Sequence, residues 1–393
     1  MPRKPSARVV VGLLMVLVGG VLAFAVPPVQ DAAPSYRVDP FWPKPLPVVT
    51  DENGLERLWV TGMVGASCVD SRDRIVTVNR GFLPNGLLSQ EGDQSVPSPP
   101  VVIYDREGNV ADSWGDPTLT DAGAAAVLPH GIHGCFVDYM DNIWIAGNSD
   151  GVVQKWSNDG SQMLLQIGTK GVCDGPPTLR PNAPYPTCGE PGNNTSENLL
   201  NAPADIAVDP EPDPVTGERG SVYVADGYGN HRMVVFDAEG NYLRQWGSAG
   251  SGDGQFVATG GGHPHCVVLG NDGLVYACDR GQNRIQVFDR VGNLVRIIPI
   301  DPPAYGEATL RATDIDLSRD AEQRHMFVVD LGSNRVWILE RESGDIVGSF
   351  GRSGHMAGEF TFVHTIVVDS HGDLYLAETA GGRRNQKFVR VGD

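Results

Sequence analysis

Short apolar runs separated by polar, glycine-rich turns recur along most of the chain. The clearest unit runs Ala204–Asp209, Val222–Asp226, Met233–Asp237 and Tyr242–Gly247: four strand-length segments in which apolar and polar residues alternate. Period-2 alternation over runs this short predicts antiparallel strands rather than helices. The unit can be laid out six times, beginning near Gly62, Pro129, Ala202, Gly262, Ala312 and Phe362. Repeats of four strands at this spacing are the mark of propeller blades, each of which buries its apolar faces only by stacking on its neighbours. The expected fold is therefore all-β, a six-bladed β-propeller. The sixth copy has only three evident strands, ending at Gln386–Val391. Its outer strand is expected from the N-terminus, around Tyr36–Trp42, so that first and last segments pair and close the ring. Pro40 and Pro43 suit such an edge position. Three stretches break the repeat, at residues 82–100, 116–128 and 169–201. Long loops on a rigid ring are where a site is carried or covered.

Ahead of the repeats, Arg3, Lys4 and Arg8 precede the apolar run Val9–Ala23, and Ala23-Phe24-Ala25 offers a small-x-small cleavage site. The expectation is an export signal over residues 1–25, with an uncleaved membrane anchor as the alternative. Residues 26–61 then form an N-terminal extension with the closing strand, and 62–393 the propeller. Export places the protein in a periplasm or outside the cell, touching a membrane only through that first segment. There six cysteines can form disulfides. Cys266 and Cys278 lie symmetrically about the turn at Gly270–Gly273, and Cys173 and Cys188 bracket a proline-rich loop; Cys68 and Cys135 remain over. The formal charge of −18 disfavours nucleic acid as a partner. Oligomeric state is left open.

His133, His265 and His364 open the second, fourth and sixth units at one and the same position. In each an aromatic (Trp144, Tyr276, Tyr375) follows eleven residues later. The matching place in the other units holds Gly65, Ala204 and Thr313, with Asp205 and Asp314 following the last two. One histidine at a strand start is more often a hydrogen-bonded core residue than a ligand. Three in alternate blades converge on one axis, as a zinc ion with three protein ligands and an open position requires. His130 and His263 flank two of them as candidate outer partners, or as plain loop residues.

The motifs Pro129-x-x-x-His133-Gly134, Pro264-His265 and His364, set in six units, resemble the peptidyl-α-hydroxyglycine α-amidating lyases among the NHL-repeat propellers. The resemblance spans the chain beyond about residue 60. It implies that His133, His265 and His364 hold a catalytic zinc in the central channel. It further implies site roles for Arg80 in Val78-Asn79-Arg80-Gly81, Tyr228 in Ala225-Asp226-Gly227-Tyr228, and Arg280 in Cys278-Asp279-Arg280. All three fall on the loop after the second strand of their unit. The implied reaction cleaves the C–N bond of a small-molecule or peptide α-hydroxy amide to an amide and glyoxylate. Tyr228 would be the proton-handling group, and Arg80 and Arg280 would hold the substrate carboxylate. In that family an aspartate directly after the last histidine serves a calcium ion; this chain has Thr365, which puts calcium in doubt. Two rivals stand: a metal-dependent propeller hydrolase or lactonase, and a non-catalytic binding propeller.

Overall fold

The computed structural model describes residues 33–80, 94–116, 128–176, 187–257, 262–302 and 310–392. The expected export signal and the middles of the three long loops lie outside the described residues. Among the described residues the fold is strand and turn, with one short helical turn at Arg280–Gln282.

The repeat units fold as antiparallel meanders of four strands, each strand bonded to the next in sequence. Sheet 1 comprises Val64–Val69, Ile75–Asn79, Val101–Tyr104 and Val110–Trp114, and sheet 2 comprises Ile132–Val137, Ile143–Gly147, Val152–Trp156 and Met163–Ile167. Sheet 3 runs through Asp205–Val208, Val222–Asp226, Arg232–Phe236 and Tyr242–Trp246. Sheet 4 holds Val267–Leu269, Leu274–Asp279, Arg284–Asp289 and Leu294–Pro299, and sheet 5 holds Asp314–Leu317, His325–Asp330, Arg335–Glu340 and Ile346–Phe350. Sheet 6 has Val363–Val368, Leu374–Glu378 and Arg384–Val391 from the C-terminal end. Its fourth strand is Ser35–Asp39, paired antiparallel from Ser35 opposite Val391 to Asp39 opposite Lys387.

The outer hairpins repeat one turn chemistry. Gly240 sits at φ +86°, and Asp237 Oδ1 accepts the Asn241 N–H at 2.8 Å, so the aspartate closes a turn that glycine alone enters without strain. Asp105 with Gly108 and Asp289 with Gly292 do the same, and Asp369 with Gly372 repeats it in the hairpin joining the first two strands of sheet 6.

Apolar faces meet between consecutive sheets, in one cluster per junction. Ile103 and Val76 of sheet 1 pack with Ile143 and Ile145 of sheet 2, Trp144 of sheet 2 packs with Val224 of sheet 3, and Tyr223 of sheet 3 packs with Phe288 of sheet 4. Val287 of sheet 4 then meets Trp337 of sheet 5, and Phe327 of sheet 5 meets Phe388 of sheet 6. A sixth cluster returns from sheet 6 to sheet 1, joining Tyr375 and Val367 to Ile75, Val102 and Tyr104. Trp42 lies in this last junction, its ring 4.9 Å from Tyr375 and 5.4 Å from Tyr104.

Two details depart from expectation. The N-terminal strand ends at Asp39, so Trp42 serves as a plug between sheets rather than as a strand residue. Residues 95–97, expected within a loop, form a strand pairing parallel with Glu56–Val60, which also pairs with Val48–Thr50 in a small three-stranded sheet.

Three disulfides account for all six cysteines. Cys266 and Cys278 bridge across the sheet 4 hairpin and Cys173 joins Cys188, as their placement suggests. Cys68 joins Cys135, tying the first strands of sheets 1 and 2 across 67 residues. A cross-link over so long a loop restricts the unfolded chain strongly, by about 4 kcal/mol in the entropic account. The double substitution Cys68→Ala with Cys135→Ala is accordingly expected to lower the guanidinium unfolding midpoint clearly. An unchanged midpoint would mean that the bridge adds nothing beyond sheet packing.

Candidate metal centre

In an antiparallel pair the end of the second strand lies beside the start of the first. The histidines start or precede the first strands of sheets 2, 4 and 6, and Arg80, Tyr228 and Arg280 follow second strands of sheets 1, 3 and 4. The topology thus brings all six to one end of the first strands.

The three imidazoles meet edge to face. Ring centroids are 4.9 Å apart for His133 and His265, 4.7 Å for His133 and His364, and 5.1 Å for His265 and His364. Each residue is 2% exposed, and ligand atoms from the three lie within 4.8 Å of one another. Among the described residues this is the only histidine, cysteine or carboxylate group so gathered.

What orients the rings is the backbone of the intervening sheets. His133 Nδ1 lies 2.7 Å from the Ala204 carbonyl, His265 Nδ1 2.6 Å from that of Thr313, and His364 Nδ1 2.7 Å from that of Gly65. A carbonyl can only accept, so each Nδ1 carries the hydrogen and each Nε2 presents a lone pair. Burial, the His364 ring and the Arg80 and Arg280 charges hold the His133 pKa well below the usual histidine value, and burial, Arg280 and the His133 and His364 rings do the same for His265. Burial, Arg80 and Arg280 take His364 down to about 3. Three neutral imidazoles with Nδ1–H tied to carbonyls and Nε2 turned inward fit a zinc ion that keeps an open position.

Gly65, Ala204 and Thr313 are therefore the outer partners, at the very place in alternate units where histidine is missing. The alternation of the repeat carried that signal. His130 and His263 do not bond the three Nδ1 atoms. The His130 N–H donates to Asp150 Oδ2, and His263 Nδ1 accepts the Gly281 N–H beside Arg280.

Tyr228 completes the centre. Its hydroxyl lies 3.0 Å from His133 Nε2, 3.0 Å from His265 Nε2, and accepts from Arg280 Nη2 at 3.1 Å. The Arg280 guanidinium also lies 5.3 Å from the Tyr228 ring centroid. The loop is fixed from beneath: buried Asp226 accepts from Asn230, Arg232 and the Asn201 N–H. Arg80 is anchored beside His133 by its Nε donating to the Ile132 carbonyl at 2.8 Å. Two glycines make the approach possible. A Cβ on Gly227 would stand 1.9 Å from the Pro264 carbonyl. One on Gly262, at φ +86°, would stand 2.8 Å from Tyr228, 2.9 Å from Arg280 and 2.9 Å from His265. Gly262→Ala is thus expected to displace all three side chains and, on the zinc reading proposed below, to lower zinc affinity about 10- to 100-fold, the scale seen when outer partners of a metal are lost. Zinc titration with a chelator competitor measures it, and unchanged affinity would refute the role.

The NHL-repeat profile matches residues 262–288, which include His265 and Arg280. Human NHL repeat-containing protein 3 is 24% identical over 366 residues, covering 90% of this chain and 84% of that protein. The probable peptidyl-α-hydroxyglycine α-amidating lyase pgal-1 of Caenorhabditis elegans is 23% identical over 287 residues, 72% of this chain and 68% of that protein. The peptidylglycine α-amidating monooxygenase of Rattus norvegicus is 23% identical over 81% of this chain, which spans only 29% of that longer protein. Sheets of four meandering strands, an NHL-repeat match over residues 262–288 and these relatives make the chain similar, over most of its length, to NHL-repeat proteins that include amidating lyases.

Proposed function

We propose that this is an exported, zinc-dependent lyase that cleaves the C–N bond of an α-hydroxyglycine-type amide, giving an amide and glyoxylate. The observation that carries it is the Tyr228 hydroxyl, placed against two Nε2 atoms and Arg280. A group able to handle a proton thus stands beside two of the nitrogens that would hold the metal. The ring is read as six-bladed and closed, supported by the cluster joining sheet 6 to sheet 1 and the N-terminal strand within sheet 6. Three disulfides and the amidating relatives point to a secreted or luminal protein, and a periplasmic or extracellular site is the specific reading.

When bound, zinc would supply Lewis-acid polarisation of the substrate hydroxyl. Arg80 and Arg280 bind the substrate carboxylate, for which the planar guanidinium fork is suited. Tyr228 takes the hydroxyl proton, with Arg280 beside its oxygen to stabilise the charge. As the C–N bond breaks, its electrons pass to the nitrogen and the C–O bond becomes a carbonyl. The proton returns to that nitrogen, so the step is redox-neutral and consumes no water.

Elemental analysis of the purified protein, followed by an assay for glyoxylate from α-hydroxyhippurate, tests this reading. One zinc per chain with glyoxylate release is expected; zinc without glyoxylate would keep the site and discard the substrate. Tyr228→Phe is expected to retain zinc and lose at least about 10²-fold in kcat, the ordinary worth of a positioned proton donor or acceptor. Unchanged turnover would remove Tyr228 from proton transfer.

The similarity to NHL repeat-containing protein 3, whose name carries no reaction, favours a non-catalytic binding propeller as second reading. That reading predicts purified protein without stoichiometric metal. A hydrolase using carboxylate ligands is not favoured, since the gathered donor set is three histidines.

A further inference from the structure

His263 lies two residues before His265, is fully buried, and is not one of the three gathered donors. Its ring hydrogen is placed in reverse to theirs. The Gly281 N–H donates to His263 Nδ1 at 3.0 Å. A backbone N–H can only donate, so Nδ1 is bare and the hydrogen sits on Nε2. One nitrogen is occupied as an acceptor and the other carries hydrogen, which leaves the ring no lone pair for a metal.

What the ring does instead is complete a turn. Arg280–Gln282 form a single helical turn, and the residue before it, Asp279, makes no side-chain cap. The first N–H groups of such a turn find no acceptor within it, and the preceding residue ordinarily supplies one. Asp279 is drawn elsewhere: its Oδ2 accepts from Arg284 Nε at 2.7 Å and from Gln282 Nε2 at 3.2 Å. His263 Nδ1 takes the missing acceptor's place for Gly281, the residue directly after Arg280. The ring covers Gly281 so closely that a Cβ there would stand 2.6 Å from His263 Cε1 and 2.7 Å from Nε2. The same residue is tied to the loop of Tyr228, since the His263 N–H donates to the Gly227 carbonyl at 2.8 Å. His231 Nδ1 in turn donates to the His263 carbonyl at 3.2 Å. One residue therefore joins the Tyr228 loop to the Arg280 turn, and across that joint Arg280 Nη2 meets the Tyr228 hydroxyl at 3.1 Å.

We propose that His263 is a positioning residue: by capping the Arg280 turn from the Tyr228 side, it fixes the guanidinium where it grips the substrate carboxylate. The proposal rests on the lyase reading above. What matters is an acceptor at the Nδ1 position, not bulk. Asparagine puts its Oδ1 near that position. Glutamine, closer to histidine in length, carries its Oε1 to the far end of the ring, where Nε2 stands. An acceptor role and a space-filling role therefore rank these two replacements in opposite order.

Full-length His263→Ala, His263→Asn and His263→Gln proteins are compared with the unaltered protein in three measurements. These are zinc content, kcat and KM on α-hydroxyhippurate, and binding of hippurate, which keeps the carboxylate and lacks the hydroxyl. His263→Ala and His263→Gln should keep zinc and raise KM at least about fivefold with kcat changed less, because a carboxylate grip acts in ground and transition states alike. His263→Asn should bring KM back to within about twofold of the unaltered protein, with hippurate affinity following the same order. Hippurate binding without glyoxylate release by the unaltered protein would remove the lyase reading, and hippurate affinity across the variants then decides the His263 role. An unaltered protein that neither binds hippurate nor releases glyoxylate would overturn both. Equal KM and hippurate affinity in all variants would overturn the positioning role, as would glutamine restoring function better than asparagine. Loss of zinc from both the Asn and Gln variants would also overturn it, by assigning the ring to support of the metal centre. The Asn and Gln pair keeps the test decisive if His263→Ala does not fold.

Discussion

His265→Ala is expected to strip the protein of zinc and to reduce glyoxylate release to background, a larger loss than Tyr228→Phe. The reason lies in how few contacts define the centre. Each ring supplies one inward nitrogen, and the three are mutually packed at 4.7–5.1 Å between centroids. A two-histidine remnant cannot make a structural or catalytic zinc set of three protein ligands. Loss of the His265 ring also leaves the Thr313 carbonyl without its buried donor and removes one of the two Nε2 neighbours of the Tyr228 hydroxyl. His265→Gln serves as control: it can still donate to Thr313 but is a poor zinc ligand, so it should restore stability without restoring zinc. Elemental analysis and the glyoxylate assay read both variants. Full zinc content in His265→Ala would sink the metal-centre assignment, whatever the activity.

Much of this architecture is legible in the sequence because it is local and repeated. The four-strand unit, the Asp-to-Gly turns and the hairpin disulfide Cys266–Cys278 each follow from neighbours within a dozen residues. The three histidines become visible by the same route, since a ring would bring equal positions in alternate units together. What the sequence hides is contact between units. Cys68 and Cys135 are 67 residues apart and meet only because the first strands of sheets 1 and 2 stack. The parallel pairing of Leu58 with Ser95 joins a supposed extension to a supposed loop, with no periodic signal in either. Backbone acceptors are hidden more thoroughly, because a carbonyl has no residue identity. Gly65, Ala204 and Thr313 share only a position, and their common function appears once His364, His133 and His265 are seen to donate to them. Gly262 and Gly227 read as turn residues, whereas their lack of a Cβ is what lets Tyr228, Arg280 and His265 converge.

The second large effect concerns the junction between the two ends of the chain. Removal of residues up to Asp39 is expected to destabilise the protein by on the order of 5 kcal/mol, from lost strand hydrogen bonds and uncovered apolar side chains. Five residue pairs, Ser35 with Val391 through Asp39 with Lys387, disappear at once. Tyr36 also leaves Phe327 and Phe350, at 5.6 and 5.5 Å, so the loss reaches the junction of sheets 5 and 6. The bared strand Arg384–Val391 then becomes an unpaired edge prone to association. Because sheet 6 carries His364, whose ring is held by Gly65 of sheet 1, loosening it should also weaken zinc binding. Tyr36→Ala alone should cost about 2–3 kcal/mol through its aromatic contacts while leaving strand pairing in place. Thermal melts, light scattering and zinc titration on the truncated and Tyr36→Ala proteins distinguish these contributions. A truncated protein that melts within two or three degrees of the intact one, stays monodisperse and keeps its zinc affinity would show that the N-terminal strand decorates the last sheet without securing it.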